Sequence, residues 1–293
     1  MIDFATTDPL YRLPLGDWVD TGVAAVTTTF DGFFDGVKAV LLGGYDALAL
    51  VFTGPPAWAV ALVLVALAFW TKGWKLAVGA LVGFAVIVGV DQWENAMATL
   101  ALVIVASAIA LLIAIPLGIL AASNDRVSQA LRPVLDFMQT MPAFVYLIPT
   151  VVIFLTGAVP GIVATVVFAL APGVRFTELG IRGVDAEVVE AGHAFGASPG
   201  RILRQIQIPL ALPTIMAGIN QVIMLSLSMV VISGLVGAEG LGRDVVGALS
   251  TVDVALGFEA GIGVVILAMY LDRMTSALAD RAPVSRALKL AAA

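Results

Sequence analysis

The residues of this chain best placed to do chemistry lie in a polar insert of about thirty residues, Val184 to Pro213, and the chemistry they suit is recognition of another protein. Asp185 and Glu187 stand where the first turn of a helix would begin, and negative charge there favours the positive end of the helix dipole. Val188, Ala191 or Gly192, and Phe195 then recur at helical spacing, which predicts a short apolar stripe on a helix held in water. Gly196 suits a left-handed cap closing that helix. Ser198 followed by Pro199 reads as an N-cap and first position of a second helix, running through Arg201, Ile202, Leu203, Arg204 and Ile206 until Pro209 stops it. Two short helices at an angle are therefore expected. An apolar stripe in water asks for a cover, and two covers fit equally: a groove on a partner protein, or the ends of the chain's own spans. A DNA-reading helix-turn-helix is disfavoured, because only Arg201 and Arg204 supply positive charge. His193 reads as a contact or solvent-facing residue.

Bond-making chemistry has no comparable footing. The sequence lacks the G-x-x-x-x-G-K-[ST] phosphate loop and H-E-x-x-H. With no cysteine and a single histidine it cannot assemble a zinc site. Arg175, Glu178, Asp253, Glu259 and Asp272 all fall near the ends of predicted spans, so a proton relay at membrane depth is not expected. The reading is that of a protein without catalytic residues, bound metal or cofactor of its own.

The elements that must position the insert follow from composition. Of 293 residues, 60% are hydrophobic and 12% charged, against about a quarter charged in soluble domains, and mean hydropathy is +1.05. Such a chain is an all-α polytopic membrane bundle, since a segment in hydrocarbon must satisfy its own backbone hydrogen bonds. Spans are predicted at 55–71, 74–90, 98–122, 143–158, 160–180, 213–236 and 259–273, about seven in all. Placing Lys72, Lys75, Arg126, Arg132, Arg182, Arg201, Arg204, Arg273, Arg281, Arg286 and Lys289 in the cytoplasm leaves Arg12, Lys38 and Arg243 outside, which puts the amino terminus outside and the carboxyl terminus inside. No cleavable signal peptide is evident. Residues 14–53 carry Trp18, Phe30, Phe33, Phe34, Val37, Val40 and Leu41 among acids and threonines, a pattern expected to lie flat on the outer face. Gly79 and Gly83 form a GxxxG pair permitting close helix approach. Asp136 and Gln139, before Pro142, are expected to cap the backbone that the proline frees. The organisation is thus an external amphipathic segment (1–54), peripheral spans (55–97), a core (98–273) containing the 184–213 loop, and a cytoplasmic tail (274–293).

One string is specific. Glu190-Ala191-Gly192, three residues, Gly196, nine residues, then Ile206, Gln207, Ile208 and Pro209 resembles the EAA motif of ABC-importer permeases, E-A-A-x3-G-x9-I-x-L-P, with Gly192 for the third alanine and Ile208 for leucine. MQTMPAFVYLIP (Met138 to Pro149), FALAPGVRFTELGI (Phe168 to Ile181), FGASPGRIL, Pro213 to Ile232 and GVVILAMYLDRMT extend the likeness to the permease subunit of glycine betaine/proline betaine importers, over about the last two hundred residues. The resemblance implies a type I importer permease in a bacterial inner membrane. It also implies a homodimer, two separate ATPases that use ATP and magnesium, and an extracytoplasmic binding protein. Glu190, Ala191, Gly192, Phe195, Gly196, Ser198, Ile206 and Pro209 would form the ATPase-coupling loop.

A quaternary ammonium substrate, implied by the same resemblance, favours aromatic faces. Candidate pathway residues are Phe137, Met138, Met141, Phe144 and Tyr146, with Met224, Ser226, Ser228 and Met229 after the insert; helix packing is the competing role for each. An importer for choline, trimethylamine N-oxide, dimethylsulfoniopropionate or an amino acid, and a channel or scaffold using the loop to bind a regulator, stand as alternatives.

Overall fold

The computed structural model describes residues 13–281. Asp3, Asp8, Arg12, Arg286, Lys289 and the rest of the tail beyond Arg281 lie outside them. Every regular element among the described residues is helical. α5 (Trp93–Ser123), α8 (Ala158–Arg182) and α11 (Ile208–Ile232) form the centre, α8 packing against both others. Small residues make this possible. Ala96, Ala101, Ala106, Ala110 and Ala114 of α5 are fully buried; a side chain at Gly173 would meet Ala114 Cβ at 2.7 Å, and one at Gly118 would meet Val174 O at 2.8 Å. Lipid offers no hydrophobic incentive for helices to associate, so close backbone approach supplies the contact.

α13 (Val254–Arg281) packs on α11, and α3 (Ala57–Lys72) pairs with α4 (Trp74–Gly89) across a one-residue turn at Gly73, where φ is 84°. The tyrosine hydroxyl of α13, Tyr270, donates to Leu64 O at 2.9 Å, tying α3 to the bundle. At the other face α12 (Leu241–Thr251) is fixed to α5: Leu241 N donates to Thr99 Oγ1 at 2.8 Å, and Asp244 Oδ2 accepts from Gln92 Nε2 at 3.0 Å and Asn95 Nδ2 at 2.7 Å.

Each of the seven predicted spans falls on a helix, but three expectations change. Five helices among the described residues are long and apolar enough to cross a membrane, six if one bent pair counts as a span; α3 and α4, with 16 residues each, are shorter. The predicted span 143–158 is the second arm of that bent pair. α6 (Asp125–Thr140) and the segment Ala143–Phe154, which ends in α7 (Leu147–Phe154), meet at 109° around Pro142.

The amino-terminal segment also differs. α1 (Leu15–Thr29) has no buried residue, as a surface helix should, but α2 (Asp31–Thr53) is 23 residues long and packs on α5 and α8. Phe34, Val37, Leu41, Tyr45, Leu48 and Phe52 make one helical stripe into the main core, and Phe34 meets the Phe154 ring edge-on at 5.8 Å. The charges of α2 cluster in its first two turns, leaving Asp46 as the one acid after Lys38.

Pro209 does not end a helix. α10 (Pro199–Ile202), a π-helical turn (Leu203–Gln207) and α11 run on without a break, and together with the 3-10 turn Ser233–Val236 they form one helical stretch from Pro199 to Val236. A π turn already displaces the ordinary hydrogen-bond ladder, so the N–H that proline lacks falls where the ladder is open.

Candidate functional site

The insert hangs between two anchored ends. α8 finishes at Arg182, whose guanidinium donates to Ala121 O at 2.7 Å and pairs with Asp125 at 2.8 Å and Glu178 at 3.0 Å. Glu178 in turn accepts from Ser128 Oγ at 2.6 Å. The end of α8 is thereby tied to α5 and α6. One layer higher, Arg175 pairs with Asp136.

α9 (Ala186–Ala194) begins at Asp185, which is the N-cap itself: its Oδ1 accepts from Glu187 N at 2.9 Å. α9 closes in the left-handed wrap expected at Gly196, whose φ is 77°. Gly196 N donates to His193 O at 2.9 Å and Ala197 N to Gly192 O at 3.1 Å, the paired bonds of a Schellman cap. Pro199 opens α10 as expected. The Ser198 side chain makes no capping bond; its carbonyl receives Arg201 N and Ile202 N at 2.9 and 3.0 Å instead.

The predicted stripe splits between two faces. Gly192 is buried, and a Cβ there would lie 2.9 Å from Ile206 Cδ1 and 3.3 Å from Ile202 Cγ1. Its missing side chain lets α9 sit on the α10–π segment, whose Leu203 joins Ile181 of α8 and Ile208, Ala211 and Ile215 of α11 in a small core. Ile206 and Pro209 are half-buried. Val188, Glu190, Ala191, His193, Phe195, Gly196 and Ser198 face outward. Phe195 is 92% exposed, far beyond what a packing residue shows. One of the two covers weighed from the sequence is thus in use: the inner face folds onto the chain's own helices, while the outer face, centred on Phe195, is exposed.

The candidate pathway residues do not form one lining. Met141, Tyr146 and Met229 share an apolar cluster with Phe168, whose ring lies 6.1 Å from that of Tyr146. Met138 belongs to a separate cluster with Leu135 and Val174. Phe137 and Phe144 are exposed. Met224 is half-buried and accepts, through its carbonyl, the exposed Ser228 hydroxyl at 3.1 Å. Ser226 is fully buried and its Oγ has no hydrogen-bond partner among the described residues. The backbone freed at Pro142 is served neither by Asp136, engaged with Arg175, nor by Gln139: the Tyr146 hydroxyl donates to Met138 O. No sequence signal marks α1 as part of this region, yet its Val19, Asp20 and Val23 face Met141 and Tyr146 across a cleft of about 460 Å3.

Residues 114–282 match the family described as binding-protein-dependent transport system inner membrane component. The chain is 47% identical over 274 residues to the glycine betaine/carnitine transport permease protein GbuB of Listeria monocytogenes, covering 92% of this chain and 97% of that one. It is 44% identical to the glycine betaine/proline betaine transport system permease protein ProW of Escherichia coli, covering 94% and 78%. It is 36% identical to the trimethylamine N-oxide transport system permease protein TmoV of Ruegeria pomeroyi, covering 90% and 40%. Among solved structures, the inward-facing MetNI methionine ABC transporter aligns with a TM-score of 0.59 at 21% identity, over 64% of this chain and 94% of that one, a likeness of fold.

Proposed function

This chain belongs to the family of binding-protein-dependent transport system inner membrane components, and from that premise we propose that it is the membrane permease of an ATP-driven importer for glycine betaine, proline betaine or a related quaternary amine. The observation that carries the substrate is near-full-length identity of 47% and 44% to permeases named for glycine betaine. The observation that supports the mechanism is the outward face of α9, with an unshielded Phe195 beside Glu190 and Ala191.

In this reading two copies of the chain form the pathway, one ATPase seats on each 184–213 loop, and a binding protein delivers solute at the opposite face. The amino terminus lies outside and the carboxyl terminus in the cytoplasm. ATP and magnesium belong to the ATPases, and the chain itself holds no cofactor. Phe195 fills a groove on the ATPase as an aromatic anchor, the kind of residue that dominates interface energetics. When the ATPases close, α9 moves with them. Its inner face, packed through Gly192 on Ile202 and Ile206, passes the displacement to α11, while the Arg182 cluster holds the end of α8 to α5 and α6. Two packed arrangements of the spans then exchange, as a two-state transition requires.

The test is reconstitution of the permease with its ATPase and binding protein in vesicles, followed by uptake of labelled glycine betaine. ATP-dependent accumulation, competed by proline betaine and absent for an unrelated amino acid, is the expected result. Passive flux without ATP, or accumulation of the amino acid alone, overturns the reading.

A further inference from the structure

The seam between α4 and α13 holds a groove of about 200 Å3, lined by none of the candidate pathway residues. Leu76, Phe84, Ile266 and Met269 wall it, and Arg273 is its one charged lining residue. The two glycines of α4 play different parts. A side chain at Gly83 would meet Ile266 Cγ2 at 2.7 Å, so this glycine brings the helices together, whereas nothing lies within 4 Å of a Cβ placed at Gly79. The groove exists because the first is a contact and the second a space.

Its two ends differ in charge. α13 runs alongside α3, with Tyr270 bonded to Leu64 and Arg281 over the Trp70 ring at 5.0 Å, so the end of α13 lies beside the α3–α4 turn. Lys72 and Lys75 flank that turn and are exposed, and Arg273 stands at the same end with its side chain 62% exposed. Asp272, the acid beside Arg273, is engaged by Asn220 Nδ2 at 3.0 Å and reaches Arg273 only at 3.8 Å, a weak exposed pair. From Leu76 to Gly83 the groove follows seven residues of helix, about 10 Å, with no charge past Arg273.

We propose that this groove binds one anionic phospholipid, an acyl chain lying over Gly79 and ending against the Gly83–Ile266 contact, and the headgroup phosphate held by Arg273 with Lys75 beside it. An apolar slot open to hydrocarbon with a cationic mouth at the membrane surface matches that molecule in both halves. Arginine suits a phosphate through its planar fork of donors.

The experiment places the purified importer complex in nanodiscs of mixed phosphatidylcholine and phosphatidylglycerol, then counts retained lipids by native mass spectrometry. The unaltered complex is expected to keep phosphatidylglycerol above its bulk fraction. Arg273→Gln lowers that enrichment about fivefold, the weight of one basic residue at a lipid surface, while Arg273→Lys keeps most of it. Gly79→Leu fills the slot and removes the retained lipid, with ATP-driven uptake reporting that the complex is still folded. A retained-lipid ratio equal to bulk in the unaltered complex overturns the proposal. So does enrichment indifferent to both Arg273→Gln and Gly79→Leu, or a photo-crosslinker at Met269 that captures protein in place of lipid.

Discussion

Replacing Gly196 by valine is expected to disconnect ATP hydrolysis from transport without removing the protein from the membrane. The backbone there has φ 77°, and no atom lies within 4 Å of a Cβ, so the penalty comes from conformation and not from collision. An L side chain in the left-handed region costs about 1–2 kcal/mol. A β-branched residue is worse suited still. If the chain relaxes to escape that strain, it gives up the bonds from Gly196 N to His193 O and Ala197 N to Gly192 O, each worth about 1 kcal/mol net. Either way the loss is about 1–2 kcal/mol, which lowers the equilibrium constant for holding α9 in place by roughly 5- to 30-fold relative to the unaltered chain. A helix of nine residues has little stability of its own with which to resist. The spans, packed through residues elsewhere, are untouched. The assay is uptake and solute-stimulated ATPase activity of the reconstituted importer, with membrane-extracted permease quantified in parallel. Asparagine, which tolerates the left-handed region, should be the mildest substitution, alanine intermediate and valine the most severe. Equal uptake by the valine variant and the unaltered protein would refute the reasoning, as would a ranking in which alanine outperforms asparagine.

Other changes separate contact from scaffold. Phe195→Ala should weaken ATPase retention at least tenfold in a pull-down while leaving the melting temperature of the isolated permease unchanged, since the ring is 92% exposed. Arg182→Ala removes the donor to Ala121 O and the partner of Glu178, whose side chain is only 12% exposed; a loss of about 1–3 kcal/mol, visible as a lower melting temperature in detergent, is expected. Ser226→Ala should be neutral or slightly stabilising in the same measurement, because the buried hydroxyl has no partner to lose. Phe144→Ala, at an exposed ring, should raise the apparent KM for uptake if that ring meets solute, and unchanged kinetics would remove it from the pathway.

How far these features were legible in the sequence depends on the range of the interactions behind them. The Gly196 cap, the Pro199 helix start and the seven apolar segments are local, set by backbone preference and hydropathy, and they stand where the sequence puts them. The role of α2 was visible as the stripe from Phe34 to Phe52, but charges counted over the whole segment hid the fact that only Asp46 follows Lys38. Gly192 reads as one more member of an outward stripe until Ile202 and Ile206 are placed beneath it, a tertiary fact. The π turn before Pro209 has no sequence signature, and a proline after a polar helix reads as a stop. The Tyr146 hydroxyl bonding Met138 O is likewise invisible until the 109° bend brings the two together.

The unbroken helix from Pro199 to Val236 has a mechanical corollary. At 1.5 Å per residue its 38 residues reach about 57 Å, well beyond the hydrocarbon thickness of a bilayer. Its soft places, the π turn and the prolines at 209 and 213, all sit in the two fifths nearest α9. Beyond Pro213 the shaft carries no proline up to Val236. A rod that bends near one tip and is stiff over the remainder turns a small sideways push at that tip into a wider swing at the far one, so the fulcrum of such a stroke belongs at the membrane surface and not at its midplane.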